Sequence, residues 1–144
     1  MSEVVVTSQT NLRNEVRYGT GKSMTTDEPI AAGGEDAGPD PYTLLLAALG
    51  SCISMTVTLY AQRKQWPLEG VTVRLRQNRV HRKDCQECDQ DKEGFIHHIE
   101  RSVEFKGNLT DEQRTRLQEI SHKCPVHKTL SSEIVISELK DDEA

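Results

Sequence analysis

Polar and apolar residues change rhythm several times along the chain, and each change marks an element. EVVVTSQT, residues 3–10, is rich in β-branched side chains and predicts a first strand. In EVRYGTGKSMTTDEP, Gly19 and Gly21 predict a turn between two short strands. AAGGEDAGPDP has no period and predicts a loop, closed by Asp40-Pro41 as a helix cap followed by proline at the first helical position. A helix is then predicted over 41–65. Leucines and alanines cover all of its faces at first, which implies a helix enclosed by protein. Trp66-Pro67 stops it.

The rhythm then changes to two. In LEGVTVRLRQNRVHRK, Val71, Val73 and Leu75 share one face while Thr72, Arg74 and Arg76 share the other, the pattern of a half-buried strand. DCQECDQDKEG makes a polar tip, and FIHHIERSVEFKG returns with Ile99, Arg101, Val103 and Phe105 on one side. The two segments predict a long hairpin. Thr110, followed three residues later by Gln113, is a capping box that opens an amphipathic helix carrying Leu117 and Ile120. CPVHKTL predicts a second short helix or turn, and EIVISEL a last strand. Strands, a long helix, a hairpin, helices and a strand make an α+β order, without an internal repeat.

At 144 residues the chain is expected to be one domain, 1–144, with a frayed acidic tail at 140–144. Hydrophobic residues make up 35% and aromatics 4%, so the apolar side chains must be concentrated in a few elements, and a subunit interface is expected to supply part of the core. A net charge of -5 with interspersed signs argues against a nucleic-acid surface. The stretch from Pro41 to Gln62 carries no charge and is long enough to span a bilayer. Thr43, Ser51, Ser54, Thr56 and Thr58 interrupt it, however, and a span would leave the rest of the chain little core. A buried helix and no membrane partner are therefore expected. The opening MSEVVVTSQT lacks the basic start and apolar run of a signal peptide. Together with four cysteines this predicts a cytoplasmic protein, where thiols are more often catalytic, metal-binding or buried than locked in structural disulfides.

Each cysteine has two readings. Cys52 lies about three turns into its helix, too deep for the helix N-terminus to depress its pKa. It is either a small core residue or a thiol activated by a nearby cation or hydrogen bond. Cys124, in HKCPVHK, has His122, Lys123, His127 and Lys128 around it, which favours a thiolate. Taken alone it is the better reactive candidate, against a plain helix-capping role. Cys85 and Cys88 form a CxxC at the hairpin tip. A structural zinc would need two further ligands, so a disulfide, a zinc site and an idle reduced pair all stay open there. No cofactor is expected.

DEPIAAGGEDAGPDPYTLLLAALGSCISMTVTLYAQRK resembles the central segment of the OsmC/Ohr superfamily, in which a Gly-Pro-rich loop leads into a buried helix with one cysteine. CPVH is similar to the second cysteine motif of that family, and the resemblance extends from about Val4 to Leu139. WPLEGVTVRL and the acidic tip DCQEC are most similar to the OsmC-like branch of uncharacterised members rather than to the Ohr branch. The resemblance implies an intertwined homodimer of antiparallel sheets packed around a long buried central helix. It implies reduction of small organic hydroperoxides, with Cys52 as the peroxidatic and Cys124 as the resolving cysteine, and an external dithiol as reductant. Arg17, Tyr42, Leu45, Leu49 and Ile53 would line the substrate site.

In one respect the chain departs from the pattern. Active members hold an activating arginine with a glutamate just after the helix-opening proline, and Tyr42 stands there instead, followed by Thr43. Arg13 and Arg17 are the available arginines, and Glu28, Glu35 and Asp36 are the loop carboxylates that would have to substitute. The alternative reading is a protein of the same fold that binds a small apolar ligand without peroxidase turnover.

Overall fold

The computed structural model describes residues 3–81 and 94–140, which fall into two compact units, one within Met1–Ala47 and one within Ala48–Ala144. The first is a meander of β1 (Val4–Ser8), β2 (Asn14–Tyr18) and β3 (Lys22–Thr26), with both pairings antiparallel. Val6 opposes Val16, which opposes Met24, so one apolar row crosses all three strands. Gly19 and Gly21 turn β2 into β3 at φ 57° and 68°, where a side chain would be strained.

The loop after β3 is organised by a buried carboxylate. Asp27 is 3% exposed and accepts N–H bonds from Glu28 (2.8 Å), Glu35 (3.2 Å) and Ala37 (3.1 Å). The Glu28 amide is the main cause of a pKa below the ordinary 3.8. Burial opposes it, while the Ala37 and Glu35 amides and Arg13 assist. At Gly38 a Cβ would run into the Thr25 carbonyl, so the loop lies directly on the end of β3.

The helix α1 (Pro41–Lys64) starts as its sequence predicts, with the Asp40 carboxylate accepting from the Thr43 N–H at 2.7 Å. Length and composition alone would let it cross a membrane. Leu49, Ile53, Val57 and Ala61 form its buried stripe at intervals of four residues. Gly50 lets the helix approach the hairpin, since a Cβ there would meet Leu75 Cδ1 at 2.8 Å. That hairpin is β4 (Leu68–His81) with β5 (Phe95–Gly107), antiparallel, and its inner face pairs Val71 with Phe105, Val73 with Val103 and Leu75 with Arg101. The capping box forms as expected. Thr110 Oγ1 accepts from Gln113 N–H at 3.1 Å, the Thr110 N–H donates to Gln113 Oε1 at 2.9 Å, and α2 (Asp111–Ser121) follows. A six-residue α3 (Pro125–Leu130) completes the order.

Two apolar clusters hold this unit together. One joins Val57 and Ala61 to Leu117 and Ile120, with Trp66, Val71 and Phe105 around them. The other joins Leu49 and Ile53 to Cys124, with Cys52, Val73, Ile99 and Leu130 around them.

Two expectations differ from what is observed. The long helix is buried along one face only: Met55 is 64% and Leu59 53% exposed, because α2, α3 and the hairpin gather on the face that carries Leu49, Ile53, Val57 and Ala61. EIVISEL forms no strand, and residues 131–140 are exposed throughout. A strand needs a ladder to satisfy its N–H and C=O groups, and the described residues offer this segment none. The polar tip and its two cysteines lie outside the described residues.

Asp27 yields a pH test. Its stabilising contribution is complete above 3.8, the ordinary aspartate value, and is lost as pH falls through its lowered folded value. Thermal melts of Asp27→Asn should therefore lie below those of the parent protein at neutral pH. The gap should narrow below about pH 4.

Candidate active site

Four residues per step along α1 put Leu49 and Ile53 into the core, and Cys52, beside Ile53, reaches the rim of the same cluster. Cys124 arrives from the other direction, at the junction of α2 and α3. It is the N-cap of α3, at φ -61° and ψ 130°, with Pro125 opening the helix and its sulfur accepting the His127 N–H at 3.4 Å. Its side chain is fully buried. Here the two cysteines meet in one apolar cluster, close enough for each to shift the acidity of the other.

The surroundings separate the two thiols. Burial disfavours a Cys52 thiolate, but the Cys124 S–H, the Val126 N–H and the Thr56 hydroxyl all donate to it and together bring its pKa below the usual 9.0. Burial pushes the Cys124 pKa up, and the adjacent Cys52 pushes it further, against the His127 and Val126 amides. Cys52 is thus the more acidic of the two, and Cys124 is first among the neighbours that make it so. The basic neighbours of Cys124 suggested the opposite order. His122, Lys123 and Lys128 are exposed while the sulfur is buried, so water screens their charge from it.

The hairpin brings a cation to the same region. Arg101 Nη1 donates to the Ser121 carbonyl (3.2 Å) and hydroxyl (3.1 Å), and Nη2 donates to His122 Nδ1 at 2.6 Å. Arginine can only donate, so the His122 proton resides on Nε2 and the ring is neutral. Burial lowers the His122 pKa below 6.5, and Arg101 and His127 lower it further. Burial also lowers the pKa of Arg101, while Cys124 acts to raise it. The sequence contained the signal for this residue: one guanidinium in an otherwise apolar alternation of Ile99, Val103 and Phe105. A cavity of about 280 Å³ opens over it, lined among others by Leu49, Ile99, His127 and Leu130. A larger hollow of about 740 Å³, between β5 and α2, includes neither cysteine.

Leu49 and Ile53 pack against Cys124, whereas Leu45 is half-buried and Tyr42, 56% exposed, stands in the first turn of α1. Arg17 lies on β2, its side chain 60% exposed, 3.5 Å from Glu15 of the same strand. Arg13 is the arginine that a loop carboxylate holds. Its Nη2 is 2.7 Å from Glu35, and its Nε is buried without a hydrogen-bond partner. Among the described residues no group of His, Cys, Asp and Glu is placed to hold a metal ion.

Replacing Cys124 by alanine removes the first donor to Cys52. The pH profile of alkylation should show Cys52 ionising below the ordinary cysteine value in the parent protein. In Cys124→Ala it should ionise at higher pH, although two donors remain.

A family model for OsmC-like proteins matches residues 33–138, which include both core cysteines. No curated protein sequence matches the chain. Among solved structures, an OsmC-like protein from Mycoplasma pneumoniae superposes with a TM-score of 0.69 at 17% identity, covering 91% of this chain and 87% of that one. An organic hydroperoxide resistance protein OsmC from Legionella pneumophila gives 0.64 at 18% identity, covering 90% and 88%. The organic hydroperoxide resistance protein OhrB of Bacillus subtilis gives 0.59 at 18% identity, covering 90% and 89%. These likenesses establish the fold, a mixed α+β arrangement of antiparallel sheets and one long helix, and the match over residues 33–138 places the chain in the OsmC-like family.

Proposed function

We propose that this protein reduces organic hydroperoxides by means of Cys52 and Cys124, in defence against oxidative stress. The observation that carries the reading is the packing of Cys52 against Cys124 in one apolar cluster, in surroundings that shift their acidities apart. The Cys52 thiolate attacks the terminal peroxide oxygen. An S–O bond forms, the O–O bond breaks, and the alkoxide leaves as an alcohol after taking up a proton. The Cys124 sulfur then attacks the sulfenic acid, an S–S bond forms and water departs. An external dithiol reduces the disulfide and resets the pair. Leu49 and Ile53 give the site an apolar border, which favours organic peroxides over hydrogen peroxide.

For the activating cation, the Arg13–Glu35 pair supports Arg13 over Arg17. It supplies the arginine–carboxylate combination that Tyr42 cannot provide. The second reading, ligand binding without turnover, is favoured by Tyr42 itself, since a carboxylate on the loop need not orient the arginine toward a thiol.

The two units are taken as one domain, and the protein as a cytoplasmic homodimer. Support for the dimer comes from apolar side chains left in water: Val4 and Val6 on β1, Met55 and Leu59 on α1, and Val135, Ile136 and Leu139 in the tail. A second copy that pairs with the tail would complete its missing ladder. Sedimentation should give twice the chain mass, and a chain ending at Ser132 should shift toward the monomer.

Peroxide chemistry is tested by titrating the reduced protein with cumene hydroperoxide and mapping its disulfides. One equivalent should produce a Cys52–Cys124 bond. Cys124→Ser should stop at a Cys52 sulfenic acid that dimedone traps. Oxidation confined to Cys85 and Cys88, or equal rates with hydrogen peroxide, would overturn the reading.

A further inference from the structure

The cavity over Arg101 has a chemistry that thiol turnover does not use. Arg101 projects from the inner face of β5, opposite Leu75, between Ile99 and Val103. Partial burial there removes some of its hydration, which a counter-charge would replace. No carboxylate lies within ion-pair distance of it among the described residues. Glu100, its neighbour in sequence, occupies the other face of the strand, where it accepts from Asn78 at 3.3 Å.

A structural role accounts for part of this side chain. By donating to the Ser121 carbonyl, Arg101 places positive charge at the C-terminal end of α2. That leaves much of the guanidinium uncommitted. Of five N–H donors, three are engaged, by the Ser121 carbonyl, the Ser121 hydroxyl and His122, and two have no partner among the described residues. The cavity walls agree with this. Arg101 contributes positive charge, His122 and His127 contribute ring nitrogens, Leu49, Ile99 and Leu130 contribute apolar surface, and no acidic residue lines it among the described residues. The His122 and His127 rings stand edge to face, 6.3 Å apart.

We propose that this cavity is a binding site for a small organic carboxylate, with Arg101 holding the charged group and Leu49, Ile99 and Leu130 receiving a compact apolar body. A carboxylate accepts two parallel N–H bonds from a guanidinium, which matches the two donors left over. A volume of about 280 Å³ sets the size at roughly a single ring or a short branched chain. The site does not require Cys52 to react, and it stands whether or not the protein turns over peroxides.

Benzoate and benzamide are suitable probes, since they share a shape and differ in charge. Binding is measured by calorimetry on reduced Cys52→Ser protein, which can form no Cys52–Cys124 disulfide, so the result is separate from the outcome with peroxides. Benzoate should bind at least about tenfold more tightly than benzamide. It should also move the ring resonances of His122 and His127 in NMR spectra. Arg101→Gln should abolish the preference for benzoate, and Arg101→Lys, which keeps the charge, should retain part of it. The probe comparison in protein with Arg101 intact needs no Arg101 variant to fold. Equal affinity for the two probes, no benzoate binding at millimolar concentration, or a preference that survives in folded Arg101→Gln would each overturn the proposal.

Discussion

A stripe of four side chains on α1 governs the C-terminal unit. Leu49, Ile53, Val57 and Ala61 recur every four residues and are the buried positions on which both apolar clusters are centred. The lower pair, Val57 and Ala61, receives α2 through Leu117 and Ile120, and so fixes where α2 ends. The upper pair, Leu49 and Ile53, receives Cys124 just beyond that end. Burying a side chain of this kind stabilises by roughly 1.5–3 kcal/mol, so neither cluster can slide along the helix without a large loss. Cys52 needs no separate positioning device. It follows the stripe by one residue of helical rotation, and the packing that sets Ile53 also sets its sulfur.

The chemistry depends on an asymmetry that packing alone does not give. Two buried thiols in equal surroundings would both stay protonated. Here the neighbours of one sulfur, Cys124, Val126 and Thr56, lower its pKa, while the other is fully buried and accepts from the backbone of α3. The polarity of the pair therefore comes from secondary structure: a helix side chain within reach of another helix's first turn, with Val126 N–H available because α3 starts there.

Much of the fold was legible from local rules. The Asp40-Pro41 start, the Trp66-Pro67 stop, the hairpin alternation and the Thr110/Gln113 capping box each act over a few residues, and each appears where the sequence places it. EIVISEL has the composition of a strand without forming one, because a strand is a relation between segments and β-branched residues cannot state whether a neighbour exists. The cysteine motifs were legible, but their relative acidity was not. Lys123 and Lys128 are neighbours of Cys124 in sequence and project into solvent, while Val126, which acts on Cys52 together with Thr56 one turn along α1, is brought there only after the hairpin and α2 have folded. Arg101 was visible as a charge in an apolar row, yet only the fold reveals that no carboxylate pairs with it among the described residues. The Arg13–Glu35 pair likewise joins residues that a spacing argument from Tyr42 could not align.

Cys124 carries one further implication. A helix of six residues cannot sustain itself, because nucleation is costly and most of its N–H and C=O groups lie at its ends. The start of α3 is held by one side-chain acceptor, and that acceptor is the Cys124 sulfur. A change in the bonding of this sulfur is therefore also a change in the first turn of α3, and through Leu130 in the wall of the Arg101 cavity. One atom is shared between the proposed redox pair and the first turn of α3.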